Sequence, residues 1–176
     1  MNTTHVLPAV LRALVIATLL AGVPALADEQ ADAAAAAVIE DFNAAITARD
    51  MDTAMDLLAE GSVQFQLRAV HPGMSDNPPL TADLRGTWKA VAGILFPMSE
   101  TYERTATVTQ ATALGEVATV WADTTTRTLR KGQDKPTDRS FSEVYLLVKK
   151  PAGWKIAGLA DNRQRDNIRV DGAAAP

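Results

Sequence analysis

Apolar side chains recur at helical spacing from Val38 onward. Ile39, Phe42 and Ile46 fall at i, i+3 and i+7, flanked by Val38, Ala45 and Arg49, while Glu40, Asp41, Asn43 and Thr47 take the opposite side. This one-sided pattern predicts a helix that lies on an apolar surface. Asp50 is placed to cap a second, short helix, because its carboxylate can accept the backbone N–H groups left open at a helix start. Met51, Ala54, Met55 and Leu58 form the stripe of that helix, and Gly61 is expected to end it. Ser62–Leu67 then alternates, Val63, Phe65 and Leu67 against Gln64 and Gln66, as a half-buried strand does. Arg68–Leu80, with His71-Pro72-Gly73 and Asp76-Asn77-Pro78-Pro79, reads as a loop. A third helix is expected through Trp88, Val91, Ala92 and Leu95. Thr87 caps it, Gly86 favours that start over Thr81, and Pro97 stops it.

From Thr101 the period changes to two. Thr101–Ala113, Glu116–Arg130, Asp138–Lys150 and Trp154–Arg163 are predicted strands, joined by Leu114-Gly115, by the polar segment Lys131–Thr137, and by Pro151-Ala152-Gly153. Long strands joined by short turns make an antiparallel meander. Helices first and strands later predict an α+β fold, with three helices on one face of a long sheet. Sheets of this length twist, so the expectation is a curled, cone-shaped antiparallel sheet capped by three N-terminal helices and enclosing a cavity.

The ends of the chain alter this picture. Met1–Arg12 carries one basic side chain, Arg12, and no acid. An uncharged run follows, and Ala25-Leu26-Ala27 precedes Asp28-Glu29. This is the layout of a secretory signal peptide, with cleavage expected after Ala27. The uncharged run from Ala13 to Ala27 has 15 residues, short of the roughly 20 that a spanning helix needs. The expected organisation is a signal peptide (1–27), a lead-in that frays (28–37), one domain (38–163) and a flexible tail (164–176). With no cysteine in 176 residues, an exported domain rests on packing without disulfides. A net charge of −4 argues against nucleic acid or an anionic membrane surface as partner, and no membrane insertion is expected once the signal is removed.

Three stretches carry a resemblance to a known family. They are Ala48-Arg49-Asp50-Met51-Asp52 with its following Gly61-Ser62-Val63-Gln64-Phe65, the Leu84-Arg85-Gly86-Thr87 segment, and the hairpin from Val144 to Ala157 with Lys149-Lys150-Pro151-Ala152-Gly153-Trp154 at its turn. Over residues 33–163 the chain resembles the nuclear-transport-factor-2-like superfamily, in particular its SnoaL-like branch. The resemblance implies a SnoaL-like (cystatin-like) α+β barrel, a pocket at its open end and homodimers formed through the sheet. It also implies a range of functions, from ketosteroid isomerases, dehydratases, cyclases and epoxide hydrolases to plain binding modules, so fold alone does not fix function.

The residues narrow that range. Isomerase-like members keep an Asp base just after the first strand, where this chain reads Gln64-Phe65-Gln66-Leu67. No carboxylate is there to abstract a proton. His71 is the only histidine beyond the signal, in a loop beside Pro72. One histidine and no cysteine leave little to ligate a metal. No phosphate loop, G-x-S-x-G or H-E-x-x-H occurs, and no cofactor is expected. Asp123, Asp161 and His71 are the weak candidates for acid–base chemistry. Trp88, Phe96, Trp121, Asp123, Phe141, Tyr145 and Arg163 are the expected lining of a ligand pocket. The sequence thus favours a periplasmic or secreted, homodimeric pocket protein for a small apolar or amphipathic ligand, with catalysis undecided. An acid–base enzyme and an interaction module using the open sheet face are the alternatives.

Overall fold

The computed structural model describes residues 23–65 and 80–162, with side chains from Asp28 onward. Among them are three helices, α1 (Val23–Ala48), α2 (Met51–Asp56) and α3 (Leu84–Met98). The strands are β1 (Leu58–Phe65), β2 (Thr81–Asp83), β3 (Ser99–Leu114), β4 (Val117–Arg130), β5 (Thr137–Lys150) and β6 (Gly153–Asp161). The strands form one six-stranded sheet in the order β2-β1-β6-β5-β4-β3. From β3 to β6 it is the expected antiparallel meander. It is not wholly antiparallel, because β1 lies parallel to β6, with Gln64 opposite Leu159. The fold is therefore α+β with a mixed sheet.

Alternation decides which side of each strand is covered. On β4, Ala118, Val120, Ala122 and Thr124 are buried. The residues between them are exposed or half-buried. Register carries this face across the sheet: Val120 stands opposite Tyr145, Ala122 opposite Glu143, Thr124 opposite Phe141, and Tyr145 opposite Leu159. The helices close the same face. Ala35, Ile39, Phe42 and Ile46 of α1, Ala54 and Met55 of α2, and Leu84 and Trp88 of α3 join Tyr145, Leu147, Trp154 and Ile156 in one core. Phe42 and Trp88 meet edge to face, with ring centroids 5.6 Å apart.

Several boundaries move from expectation for local reasons. The segment 28–37 does not fray: it continues α1, Ala35 is fully buried, and Asp32 Oδ1 accepts a hydrogen bond from Ala113 N at the edge of β3 (2.5 Å). Asp50 caps α2 as expected, accepting from Thr53 N at 3.0 Å. Gly61 does not end that helix, which stops at Asp56. It takes φ +69° inside β1, where the register with β6 slips between Leu58 and Val63. A bulge and a helix terminus both call for a left-handed residue, so the glycine alone could not distinguish them. Helix α3 begins earlier than expected because Asp83, not Thr87, is its cap, accepting from Arg85 N at 3.1 Å. Gly86 belongs inside that first turn: a Cβ there would stand 2.6 Å from the Asp83 carboxylate. Pro97 sits within the last turn, and the helix ends one residue later. His71, Gln66, Leu67, Arg163 and the tail 164–176 lie outside the described residues.

Candidate functional site

Most of the covered face is apolar, but its centre carries a charged pair. Arg104 on β3 and Glu143 on β5 are joined across β4, with Arg104 Nη2 donating to Glu143 Oε2 at 2.5 Å. Neither side chain reaches solvent. Both strands place these residues inward by alternation. Arg104 is in register with Thr126, two residues along β4 from Thr124, and Glu143 stands between Phe141 and Tyr145 on an otherwise apolar stripe.

The surrounding groups are tightly committed. Glu143 Oε2 also accepts from Thr124 Oγ1 and from Tyr145 OH, each at 2.7 Å. Arg104 Nε donates to Asn43 Oδ1 at 2.5 Å, and Asn43 Nδ2 donates back to Ile39 O of its own helix at 2.7 Å. The Arg104 backbone is held as well. Its N–H donates to Thr47 Oγ1 at 2.8 Å, and its carbonyl accepts from the same hydroxyl at 2.9 Å. Trp88 and Phe141 present their rings to the guanidinium at 5.2 Å and 5.4 Å, within cation–π range. Helix α1 thus fixes the arginine from one side and the sheet fixes the glutamate from the other.

Two atoms of this pair are left over. Among the described residues, Arg104 Nη1 and Glu143 Oε1 are buried and have no hydrogen-bond partner. Oε2, by contrast, takes three donors, more than its own two lone pairs accommodate ideally. An unpaired polar atom in such a place costs about 1–3 kcal/mol, and here a donor and an acceptor are both open within one pair. Electrostatics fix the charge states around them. Burial works against the Arg104 charge, but the Glu143 carboxylate, aided by the oxygens of Tyr145 and Tyr102, outweighs it and holds the guanidinium above its ordinary range. Burial and then the Glu143 carboxylate push the Tyr145 phenol up, with Arg104 pulling part of the way back. Tyr145 is a neutral donor.

Of the residues expected at a pocket, Trp88, Phe141 and Tyr145 gather at this centre. Phe96 is half-buried and packs near Tyr102 instead, with ring centroids 6.0 Å apart. Trp121 and Asp123 are not brought to it. They alternate out to the opposite face, where Trp121 is 48% exposed and Asp123 Oδ1 accepts from Ser142 Oγ at 2.8 Å. Asp161 is half-buried, in register with Glu143 and so on the inner face, and accepts from Gln64 Nε2 at 3.4 Å. His71 and Arg163 lie outside the described residues. Sequence reasoning missed Arg104, Asn43 and Thr124. Glu143, which alternates onto one face with the expected lining residues Phe141 and Tyr145, was not among the expected site residues either. The available signal was a lone charge on each of two apolar stripes, opposite in sign.

A groove of about 450 Å³ runs between α1 and the edge of β3, and Asn43 and Arg104 are among the residues that line it. Among the described residues no group of three or more His, Asp and Glu is gathered to hold a metal ion, and no helix is long and apolar enough to cross a membrane.

No family model matches the chain, and no curated protein matches it in sequence. Solved structures do match. A ketosteroid isomerase-like protein from Erwinia carotovora atroseptica is 17% identical with a TM-score of 0.55, over 74% of this chain and 93% of its own. An NTF2-like superfamily protein from Salmonella enterica serovar Typhimurium is 12% identical with a TM-score of 0.58, over 82% of this chain and 99% of its own. The CaMKII hub of S. rosetta is 18% identical with a TM-score of 0.58, over 74% and 94%. At these identities the likeness is one of fold: the chain has the nuclear-transport-factor-2-like fold that its sequence resembles.

Proposed function

We propose that the protein is an exported pocket protein whose helix-covered face receives a small ligand at the Arg104–Glu143 pair. The observation that carries this reading is the open pair of buried atoms, Arg104 Nη1 and Glu143 Oε1. A buried ion pair is weak evidence for stability, since apolar replacements of similar volume often do as well. A pair that also leaves one donor and one acceptor unmet is better explained by something that meets them. The aromatic walls Trp88 and Phe141 and the neighbouring apolar core suit a ligand that is apolar beyond its polar edge. A cone-shaped enclosure, cleavage after Ala27 and delivery to the periplasm or beyond belong to the same proposal.

Binding is favoured over acid–base catalysis by the engagement of Glu143. Its Oε2 is filled by three donors, which fixes the group as an anchor. The catalytic alternative draws on Asp161, the carboxylate in register with Glu143 on the same face. A homodimer through the outer sheet face is proposed on the exposure of Val117, Trp121 and Leu146 there.

Protein-observed NMR against a library of small apolar and amphipathic compounds tests the pocket. Hits are expected to shift the Trp88 indole and the Arg104 Nε–H together. A library in which no compound perturbs these interior signals overturns the reading.

A further inference from the structure

We infer that the outer edge of β3, where α1 runs beside it, takes an extended basic peptide as a strand added to the six-stranded sheet. This surface is separate from the Arg104–Glu143 site and does not depend on it. β3 ends the sheet, so one side of its backbone has no strand next to it. Alternation says which groups face that side. The N–H and C=O of Arg104 both bond to Thr47 Oγ1 of α1. In an antiparallel pair such directions alternate from residue to residue. Those of Ala106 and Val108 therefore face outward too, while Thr105 and Thr107 turn to β4, opposite Thr125 and Asp123. The register slips between Val108 and Gln110, which reverses the order. Beyond the slip, Ala113 N–H faces outward to Asp32, and so does the backbone of Ala111.

The edge is closed at two places and open between them. Proteins commonly blunt sheet edges with covering side chains or bulges, and Thr47 and Asp32 do so at Arg104 and Ala113. Among the described residues, nothing takes the outward groups of Ala106, Val108 and Ala111. At strand rise this gap holds a segment of about six residues. The groove between α1 and β3 opens at its Arg104 end, with Glu40 and Ala44 on the helix side and Thr105 and Ala106 on the strand side. Extended peptides add to sheet edges in this way, main-chain bonds giving affinity and alternate side chains giving specificity. Charge sets the occupant. Glu40 on α1 and Glu103 on β3 both line the groove, so lysines on either face of the peptide meet a carboxylate. Arg104, the one basic residue among those lining it, is buried and joined to Glu143. Arg127, in register with Glu103, pairs with Asp138. On a chain of net charge −4 these carboxylates favour a basic partner.

The probe is the capped peptide Thr-Lys-Val-Lys-Val-Lys-Thr, titrated into the full chain and followed by protein-observed NMR and amide hydrogen exchange. Its controls are the same peptide with glutamate for lysine, and two isomers N-methylated either at the valines or at the lysines, which block opposite edges of the strand. The lysine peptide is expected to slow exchange of the Ala106 and Val108 N–H groups about tenfold at saturation, with Thr105 and Thr107, already turned to β4, unchanged. One N-methyl isomer is expected to bind as the parent does and the other at least about tenfold more weakly, because only one edge of the peptide faces β3. Ala106→Pro, which removes an outward donor and no bond to β4, is expected to abolish binding. Glu40→Gln is expected to weaken it about threefold. A lysine peptide that does not bind or does not slow these two amides overturns the inference. So does a glutamate peptide that binds as tightly, or equal binding of the two N-methyl isomers. Protection of Ala106 and Val108 that rises with protein concentration alone assigns the edge to a second copy of this chain, and overturns it as well. The wild-type peptide ranking decides even where Ala106→Pro does not fold.

Discussion

Removing one member of the Arg104–Glu143 pair strands the other in a place without solvent. Arg104→Met or Glu143→Leu alone is therefore expected to cost about 3–5 kcal/mol, while the double variant recovers most of that loss, because the apolar pair leaves no charge behind. Urea unfolding of the three variants measures the coupling directly. Additive losses would show that the two side chains do not act as a pair. Tyr145 supplies a pH signature of the same cluster. Its phenol is pushed up by burial and by Glu143, so the folded value lies above the unfolded one. The stability this gives is fully present below the unfolded value of about 10, and is lost as pH rises through the folded value. Alkaline titration of stability is expected to flatten in Tyr145→Phe. The sequence made the aromatic part of this centre legible, since Phe141 and Tyr145 alternate onto one face. The arginine was only half legible. It is the one charge on a face with Tyr102, Ala106 and Val108, against Thr101, Thr105 and Thr107 on the other, but its pairing with a residue 39 positions away is made by register across β4, which no local pattern encodes.

The junctions between elements hold a second set of consequences. Arg49 ends α1 in a left-handed conformation (φ 61°), unusual for a side-chain-bearing residue. Its guanidinium offsets this by donating to the carbonyls of Phe96, Ser99 and Glu100 at the end of α3 and the start of β3. Arg49→Ala keeps the backbone strain and loses those bonds. Arg49→Gly loses the bonds but relaxes the backbone, and thermal unfolding should find it about 1 kcal/mol the more stable of the two. Asp50, next in sequence, is held below its ordinary value chiefly by the Thr53 hydroxyl and also by the Thr53 N–H. Its capping contribution is present above the unfolded value of about 3.9 and is lost as pH falls through the folded one. Asp50→Ala should lower the melting temperature at neutral pH, and the difference from wild type should close towards pH 2. Gly86→Ala should displace the Asp83 cap and cost about 1 kcal/mol. These junctions explain what was legible at this scale. The helix and strand periods were plain, and Asp50 was correctly read as a cap. The true start of α3 was hidden because an Asp three residues before a glycine looks like a turn until the turn is seen to be the first of the helix.

At the scale of the whole molecule, one face of the sheet is covered by helices and the other presents Val117, Trp121 and Leu146. If this outer face joins two copies, Trp121→Arg is expected to convert a dimer to a monomer in sedimentation velocity. An unchanged mass would remove this face from the interface. The fold class was legible because the change of period from helical to two is a property of long stretches. The mixed character of the sheet was not, because it depends on where β1 docks. That docking has a consequence for how the protein comes into being. Strand β1, Leu58–Phe65, pairs with β6, Gly153–Asp161, the last of the described strands in chain order. Until residue 161 is available, β1 has only the three-residue β2 beside it, and the sheet cannot close. Contacts this far apart in sequence slow folding. A chain of this topology can pair β3, β4 and β5 as they emerge, but the β1 side of its sheet has to wait for residue 161, so its two sequence-distant edges are joined in the closing step.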